Sequence, residues 1–207
     1  MIRLIKDDKE HNYKIYKSDV IENHYEEMIH TIRTAHTILM KKYSVINPSS
    51  TWLYQTYNIF SLVGQSEHFH QLYKDLVLII KNQLPDENML WFQSWVNYHK
   101  PDEVLDWHNH YWHTHGFICL DPKESDTVFK NYTIHNEIGN IYIGPGNRQH
   151  KVEVLKPYEG ERITLGFDVT VKPELPRGML SFIPSQISLI VASLYSFTIL
   201  SNLAFFI

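Results

Sequence analysis

The chain has almost no cysteine, no basic surplus and no apolar run in its first residues, and each of these features narrows the class of protein that we expect. Its one cysteine, Cys119, excludes an internal disulfide, so folding does not require an oxidising compartment. Lys and Arg number 19 against 23 Asp and Glu, so charge gives no indication of a nucleic-acid partner. The N-terminal segment lacks the apolar region of a signal peptide, and we expect a cytoplasmic protein.

Charge is also missing from the last thirty residues, after Arg177. This stretch is mostly apolar and longer than the roughly 20 residues that span a bilayer. Lys172 and Arg177 precede it, which favours a cytoplasmic position for the rest of the chain. We therefore predict one folded domain at residues 1–172 and an apolar C-terminal helix at 178–207, a candidate membrane anchor. A helix or hairpin packed on the domain is the alternative.

Helical periodicity is confined to the first half of the domain. Ser18 begins a segment of 3.6-residue period that predicts a helix to about Tyr43, and Ser66 begins a second one that runs to Leu84. Residues 51–60 are aromatic and β-branched enough to predict a strand between them.

From residue 89 onwards the period changes to two, and turn residues recur about every ten positions. The predicted strands are 90–98, 113–120, 127–134, 138–143, 150–155 and 162–171. Many short strands at this spacing favour a sandwich or jelly roll, here with two helices packed outside. The predicted fold is therefore mainly β with flanking helices.

A histidine-rich stretch is the strongest candidate for a functional site. His108 and His110 are two residues apart, so on a strand their imidazoles point to the same side. His150, which follows a Gly-Pro-Gly turn at 144–146, is the best candidate for a third ligand. Three protein ligands leave coordination positions open, as a catalytic metal requires. We expect these three histidines to bind one metal ion.

Arg162 lies twelve residues after His150, in a run with strand-like alternation. Arg162, Thr164 and Gly166 fall on one face, and the opposite face is apolar, which favours a polar cavity inside a barrel. A guanidinium stays charged when desolvated and pairs with a carboxylate through two hydrogen bonds. A surface salt bridge with Glu159 or Glu161 is the alternative.

Together these segments resemble the iron(II)/2-oxoglutarate-dependent oxygenases, whose fold is a double-stranded β-helix (jelly roll), and most of all the compact hydroxylase-like type of phages and marine bacteria. The resemblance covers about residues 57–171, and its most specific pieces are 93–98, 108–110, 139–150 and 160–167. It implies a dioxygenase that uses iron(II), O2 and 2-oxoglutarate to oxidise an unidentified substrate, most simply by hydroxylation.

The resemblance also implies residue roles. His108, His110 and His150 would hold the iron. Arg162 would bind the far carboxylate of 2-oxoglutarate, with Thr164 beside it. Tyr98 matches a tyrosine often found upstream of the first ligand and would be a further cosubstrate contact.

One departure from the family lies at His110, where many members have aspartate. Asp106, two residues before His108, is the alternative ligand in a shifted register. His113 and His115 form a second His-x-His pair, which we expect to be structural or to line the substrate pocket.

Two other functional classes remain open. The segment from Gly139 through Pro145 to His150 matches much of a cupin motif, and the pair at 108 and 110 matches the start of another. The glutamate expected about four residues after His110 is missing, and cupins do not need Arg162. A non-enzymatic jelly-roll binding module, with a structural metal or none, is the third class.

Overall fold

Two antiparallel β-sheets and a layer of helices account for the described part of the chain. The computed structural model describes residues 1–44, 49–54, 56–85, 87, 89–103, 105–171 and 180–182. The strands are β1 (Ile2–Asp8), β2 (Tyr13–Ser18), β3 (Leu90–His99), β4 (Thr114–Asp121), β5 (Ser125–Phe129), β6 (Thr133–His135), β7 (Asn140–Pro145), β8 (His150–Val154), β9 (Arg162–Thr170) and β10 (Leu180–Phe182). The helices are α1 (Asp19–Asn23), α2 (Tyr25–Tyr43), α3 (Ile59–Val63) and α4 (Glu67–Gln83), with a 3₁₀ turn at Thr51–Leu53.

The chain passes repeatedly between a large and a small sheet. The large sheet has the strand order β1-β2-β7-β4-β9-β3-β10, and the small sheet has the order β6-β5-β8. From β3 onwards β4, β7 and β9 join the large sheet, whereas β5, β6 and β8 join the small one. The predicted mainly β fold with helices is confirmed, and this alternation between two sheets is the winding expected of a jelly roll.

Strand β9 lies between β3 and β4 and is buried along its whole length. One face belongs to the core between the large sheet and the helices, through Ile163, Leu165, Phe167 and Val169. The alternate residues line a cavity between the two sheets: Arg162, Thr164, Gly166 and Asp168. The predicted division of this strand into an apolar and a polar face is confirmed.

The helices cover the outer face of the large sheet. The segment predicted as one helix from Ser18 to Tyr43 is interrupted once, at His24, whose φ of −127° and ψ of 29° separate α1 from α2. Ser66 begins α4 as predicted, and its hydroxyl accepts a hydrogen bond from the Phe69 N–H. The buried stripe of the two long helices packs into the same core as β9: Met28, Ile29, Ile32, Ala35 and Leu39 of α2, and Phe69, Leu72, Leu76, Ile79 and Ile80 of α4.

A smaller core fills the space between the two sheets away from the polar cavity. It contains Phe117, Phe129 and Tyr142, and Cys119 is fully buried beside them. Burial raises the pKa of the Cys119 thiol to about 12, so this side chain packs as a small apolar group.

The predicted strand at residues 51–60 is wrong. The Asn58 side chain accepts a hydrogen bond from the Phe60 N–H, 3.1 Å away, and this cap begins α3. Burial of Ile59, Phe60 and Val63 on one helical face outweighs their β propensity. The single strand predicted at 127–134 is two strands, joined by a turn that the Phe129 N–H closes on the Tyr132 carbonyl.

Of the predicted C-terminal helix at 178–207, only Leu180–Phe182 is described, and this short segment is a strand that pairs antiparallel with β3. The remainder lies outside the described residues. None of the helices in the described part of the chain has the length and apolarity needed to cross a membrane.

Close packing of the sheet core predicts that Gly116→Ala is strongly destabilising. A Cβ at this position would lie 2.1 Å from Cζ of Phe167 and 2.5 Å from the Tyr142 backbone oxygen. We expect a cost of about 3 kcal/mol, measured by chemical denaturation, because the backbone of a central strand cannot yield. Gly160→Ala is the control, since nothing lies within 4 Å and only its φ of +76° opposes the change, at roughly 1 kcal/mol. Equal losses in the two variants would contradict this packing.

Candidate metal centre and anion pocket

Two of the predicted ligands are held together by their own backbones. His108 lies in the segment between β3 and β4 and forms an isolated antiparallel bridge with His150, the first residue of β8. Each backbone N–H donates to the carbonyl of the other residue, at 3.0 and 2.9 Å. Two further backbone hydrogen bonds hold this segment: the Val152 N–H of β8 donates to the Leu105 carbonyl, and the His110 N–H donates to the carbonyl of Gly146, in the turn before β8. His108 and His110 were expected to lie on a strand, but the segment that contains them pairs with its neighbour only through these few bonds.

The outer ring nitrogens of these two histidines are anchored on backbone carbonyls. Nδ1 of His108 lies 2.7 Å from the Asp106 oxygen, and Nδ1 of His150 lies 3.0 Å from the Arg148 oxygen. A carbonyl only accepts, so each Nδ1 carries the proton and each Nε2 keeps its lone pair. Burial lowers the pKa of His108, and it lowers that of His150 to about 2, so both rings are neutral.

A buried carboxylate anchors the third ligand and a fourth histidine. Asp168, 1% exposed, has Oδ2 at 3.1 Å from Nδ1 of His110 and Oδ1 at 2.9 Å from Nδ1 of His115. Burial opposes the ionisation of Asp168, but its contacts with His110 and His115 outweigh that cost and lower the pKa of the carboxyl. The two imidazoles stack at 3.6 Å between ring centroids. Burial lowers the pKa of His115 to about 4.

These contacts occupy the Nδ1 atoms of the three predicted ligands, so their Nε2 atoms are available to bind a metal ion. Ligand atoms of His108, His110 and His150 lie within 4.8 Å of one another, as the sequence predicted. Nε2 of His110 is buried and has no hydrogen-bond partner among the described residues. A buried nitrogen without a partner is costly, and a metal ion would remove that cost. The donor set fits a divalent transition metal held by three neutral imidazoles.

The remaining histidines of this stretch, and the alternative ligand Asp106, do not belong to the three-histidine set. The exposed Asp106 contributes its backbone carbonyl to His108, while its carboxylate accepts from the Trp107 N–H. His115 lines the cavity beside His110, and the exposed His113 lies 3.1 Å from the Thr114 hydroxyl. Asp168 was missed by the sequence interpretation, although the alternation that places Arg162, Thr164 and Gly166 extends to it.

The metal ligands and Arg162 line the same cavity, of about 190 Å³, between the two sheets. Arg162 is 2% exposed, and its Nη2 lies 2.6 Å from Nδ1 of His99. Burial, and then the neighbouring guanidinium, lower the pKa of His99 to about 3, so this ring is a neutral acceptor. Arg162 does not form the surface salt bridge with Glu159 or Glu161 that was the alternative to a role in the cavity. Glu161 pairs with Arg33 instead.

The guanidinium of Arg162 is left with unused hydrogen-bonding capacity. Its Nε is buried without a partner, and no carboxylate in the described ranges lies within ion-pair distance of it. A guanidinium remains protonated even where burial lowers its pKa, as it does here. The cavity therefore contains a fixed positive charge that can bind an anion.

Thr164 adds an oriented hydroxyl beside this charge. Nε1 of Trp95 donates to Oδ1 of Asn97 at 3.0 Å, and Nδ2 of Asn97 donates to Oγ1 of Thr164 at 3.2 Å. Because the Thr164 oxygen already accepts, its own hydrogen is free to donate to a ligand in the cavity. Gly166 makes room for this chain, since a Cβ there would lie 2.4 Å from the Trp95 ring.

The structure does not bring Tyr98 to this cavity. Its ring stacks at 3.9 Å on His36 of α2, on the helix-facing side of β3. Side chains alternate along a strand, so Asn97 faces the cavity and Tyr98 faces away from it. Tyr98 is therefore not retained as a cosubstrate contact.

The solved structures that this chain matches include a monooxygenase, a prolyl hydroxylase and a cupin. The non-heme monooxygenase ThoJ, in its nickel complex, is 8% identical over 80% of this chain and 71% of its own, with a TM-score of 0.48. A Pseudomonas putida prolyl-4-hydroxylase is 16% identical over 53% and 70%, with a TM-score of 0.41. A cupin-2 domain protein of Shewanella frigidimarina is 18% identical over 37% and 69%, with a TM-score of 0.29.

No protein-family model matches the chain, and no curated protein matches it. Identities below 20% and TM-scores below 0.5 carry no functional weight, so we argue function from the geometry of the site.

The buried neutral histidines predict that the metal-free protein loses stability in mild acid. Folding lowers the pKa of His99, His115 and His150 to about 3, 4 and 2. Above pH ~6.5 these rings are neutral in both states, and below it the unfolded chain takes up protons that the folded chain excludes. The free energy of unfolding should then fall by about 1.4 kcal/mol per pH unit for each ring.

Chemical denaturation at about pH 7.5, 6.5 and 5.5 measures this slope. His150→Gln should reduce it, whereas His30→Gln, on the exposed side of α2, should not. A wild-type stability that stays constant over this interval would contradict the burial of neutral rings.

The double role of Asp168 predicts that Asp168→Asn weakens metal binding about 10- to 100-fold. An amide offers one oxygen acceptor, so only one of the two Nδ1–H groups keeps its partner. Competition with a chromophoric chelator measures the affinity. Asp126→Asn is the matched control, because Asp126 accepts from the surface ring of His135 at 2.7 Å. Unchanged affinity in Asp168→Asn would mean that the carboxylate does not position the ligands.

Proposed function

We propose that the protein is an iron(II)- and 2-oxoglutarate-dependent oxygenase of double-stranded β-helix fold. The observation that carries the proposal is the buried guanidinium of Arg162, which faces the same cavity as three convergent imidazoles and has no carboxylate partner among the described residues. The metal would be held by His108, His110 and His150, and the far carboxylate of 2-oxoglutarate by Arg162 and Thr164.

The charges of the cavity favour a dianionic ligand. Three neutral imidazoles leave the charge of a divalent metal uncompensated, and Arg162 adds one positive charge. The ionised Asp168 offsets one of these charges, so an excess of two remains. Buried charge is costly unless it is paired, and a ligand with two carboxylates would pair with both cationic ends.

The positions of the two ends along β9 suit a short ligand. Arg162 and Asp168 are six residues apart on one face, which separates their Cα atoms by roughly 20 Å. On this face of the strand only Thr164 and Gly166 lie between Arg162 and Asp168, and Asp168 contacts His110 and His115 at its end. At about 190 Å³ the cavity is smaller than the roughly 300 Å³ at which drug-sized pockets begin, so it suits a small cosubstrate.

Bound iron(II) would supply the oxidation, in which O2 and 2-oxoglutarate give succinate and CO2 while one oxygen atom enters a C–H bond of the substrate. The chain's own residues bind and orient the reactants. Asp168 and the backbone carbonyls fix the imidazoles, and Trp95 and Phe117 wall the cavity against water. The primary substrate is expected to enter on the side of the exposed Tyr111.

A cupin-type metalloenzyme that does not use 2-oxoglutarate is the second candidate, because of one specific observation. His115 occupies the region where cupin motifs have glutamate, and it packs against His110 with its Nε2 free of the Asp168 bond. With four imidazoles on the metal, an octahedral ion keeps too few positions for a chelating 2-oxoglutarate and O2 together. The two candidates therefore differ in cosubstrate binding.

Anaerobic titration of the iron-loaded protein with 2-oxoglutarate separates the candidates. The oxygenase proposal predicts a weak visible charge-transfer band that saturates at one equivalent, and aerobic turnover should then release succinate. Metal binding without this band, and turnover independent of 2-oxoglutarate, would favour the cupin candidate. Iron binding that His150→Ala leaves unaffected would favour a non-enzymatic module.

Arg162→Ala should weaken 2-oxoglutarate binding while sparing the metal. Loss of a buried charged partner costs about 2–5 kcal/mol, which corresponds to roughly a 30- to 5,000-fold weaker affinity. The band titration measures it, and chelator competition should show an unchanged metal affinity. Arg33→Ala is the control, because the half-exposed Arg33 pairs with Glu161 outside the cavity. Equal cosubstrate affinity in the Arg162 variant would overturn the assigned role.

A further inference from the structure

A second group of metal-ligating side chains lies on the helical layer, outside the cavity. It consists of His24, Glu27 and His68, and we call it the helix cluster. One ligand atom of each residue lies within 4.8 Å of the others. None of the three lines the cavity between the sheets.

Three helices bring these side chains together. His24 is the residue at which the chain leaves helical geometry between α1 and α2, and Glu27 follows in the first turn of α2. His68 lies in the first turn of α4, directly after the Ser66 cap. The buried residues beneath them, Ile21, Met28 and Phe69, hold the three elements against one another. The cluster therefore bridges the α1–α2 junction and the start of α4.

The helix cluster contains a stacked pair of imidazoles in addition to a histidine–glutamate contact. Nε2 of His68 lies 2.7 Å from Oε2 of Glu27, and the rings of His24 and His68 stack at 3.7 Å with an angle of 14° between their planes. A neutral imidazole offers one nitrogen lone pair, which is the atom that a metal ion binds. Two imidazoles and a carboxylate on three elements are a ligand set that zinc accepts.

The local charge also favours a cation. Two helix N-termini point their positive ends at this place, which would oppose a metal ion. Acidic residues of the same first turns offset them: Glu26 and Glu27 in α2, and Glu67 in α4. No lysine or arginine forms an ion pair with any of these three in the described part of the chain.

We propose that the helix cluster is a second divalent-metal site, independent of the catalytic proposal, which takes a borderline ion such as Zn²⁺ and links α4 to the α1–α2 junction. Its three protein ligands leave room for water. Because the ion would bind only the folded arrangement, it would stabilise the helical layer in proportion to its free concentration.

Zinc binding to tag-free protein, measured against a competing chelator, tests the site. We expect two equivalents for the wild type and one for His150→Ala, which removes a ligand of the three-histidine set in the cavity and leaves the helix cluster unchanged. In that background, His68→Ala or Glu27→Gln should weaken the remaining binding by more than about tenfold, as expected for loss of a direct ligand. His70→Ala, an exposed histidine two residues further along α4, is the matched control and should retain full binding.

Thermal unfolding gives a second readout that does not depend on catalysis. Zinc should raise the melting temperature of the His150→Ala protein, and this rise should disappear in the double variant with His68→Ala. Zinc binding that stays at its His150→Ala level in both the His68 and the Glu27 variants would overturn the proposal. The proposal would also be overturned if the His150→Ala protein bound no zinc at all. Neither result bears on the binding of iron or 2-oxoglutarate at the cavity.

Discussion

The carboxylate of Asp168 is the contact on which the candidate centre depends. It is buried under the two imidazoles that it anchors, and it lies at the end of a strand whose other face holds the helical layer. A buried carboxylate is tolerated only when hydrogen bonds replace its hydration, and here both oxygens accept from ring N–H groups. The same bonds decide which nitrogen of each ring is left for a metal. One side chain thus orients His110 and His115 and adds a negative charge beneath them, while backbone carbonyls orient His108 and His150.

Strand β9 connects the position of Asp168 to the packing of the whole sheet. Its ladder with β3 is continuous from Trp91–Thr170 to His99–Arg162, so the two charged residues are fixed at opposite ends of a rigid element. The apolar face of β9 packs under α2 and α4, and a shift of one residue would send Arg162 and Asp168 into that apolar layer. The burial that stabilises the sheet therefore also fixes the register of the site.

Much of the site followed from local patterns, and the rest needed the fold. The spacing of the histidines and the alternation at Arg162 predicted that these side chains lie near one another, and His108, His110, His150 and Arg162 do line one cavity. Asp168 escaped because a single aspartate at the end of a strand belongs to no motif; only its partners reveal it. Tyr98 was misplaced because one step along a strand reverses the direction of the side chain.

For the fold, too, local sequence patterns predicted the buried strands and failed where tertiary contacts decide the structure. Period-two strands were assigned correctly where both faces are buried, as in β3, β4 and β9. Residues 51–60 failed because a cap at Asn58 and tertiary packing outweighed β propensity, which is a weak and context-dependent signal. His108 and His110 were expected on a strand, whereas a bridge from His108 to β8 and a backbone hydrogen bond from His110 to Gly146 hold them in place.

That bridge has a consequence for how the centre is assembled. Two of the proposed ligands exchange backbone hydrogen bonds with each other, so their separation is determined by sheet pairing before any ion arrives. In small zinc domains the metal organises the polypeptide, and removal of the ion unfolds it. Here, by contrast, backbone hydrogen bonds fix the separation of two of the proposed ligands without any contribution from an ion. We therefore expect removal of the metal to leave the two sheets folded, so that an ion can leave the site and rebind without refolding of the chain.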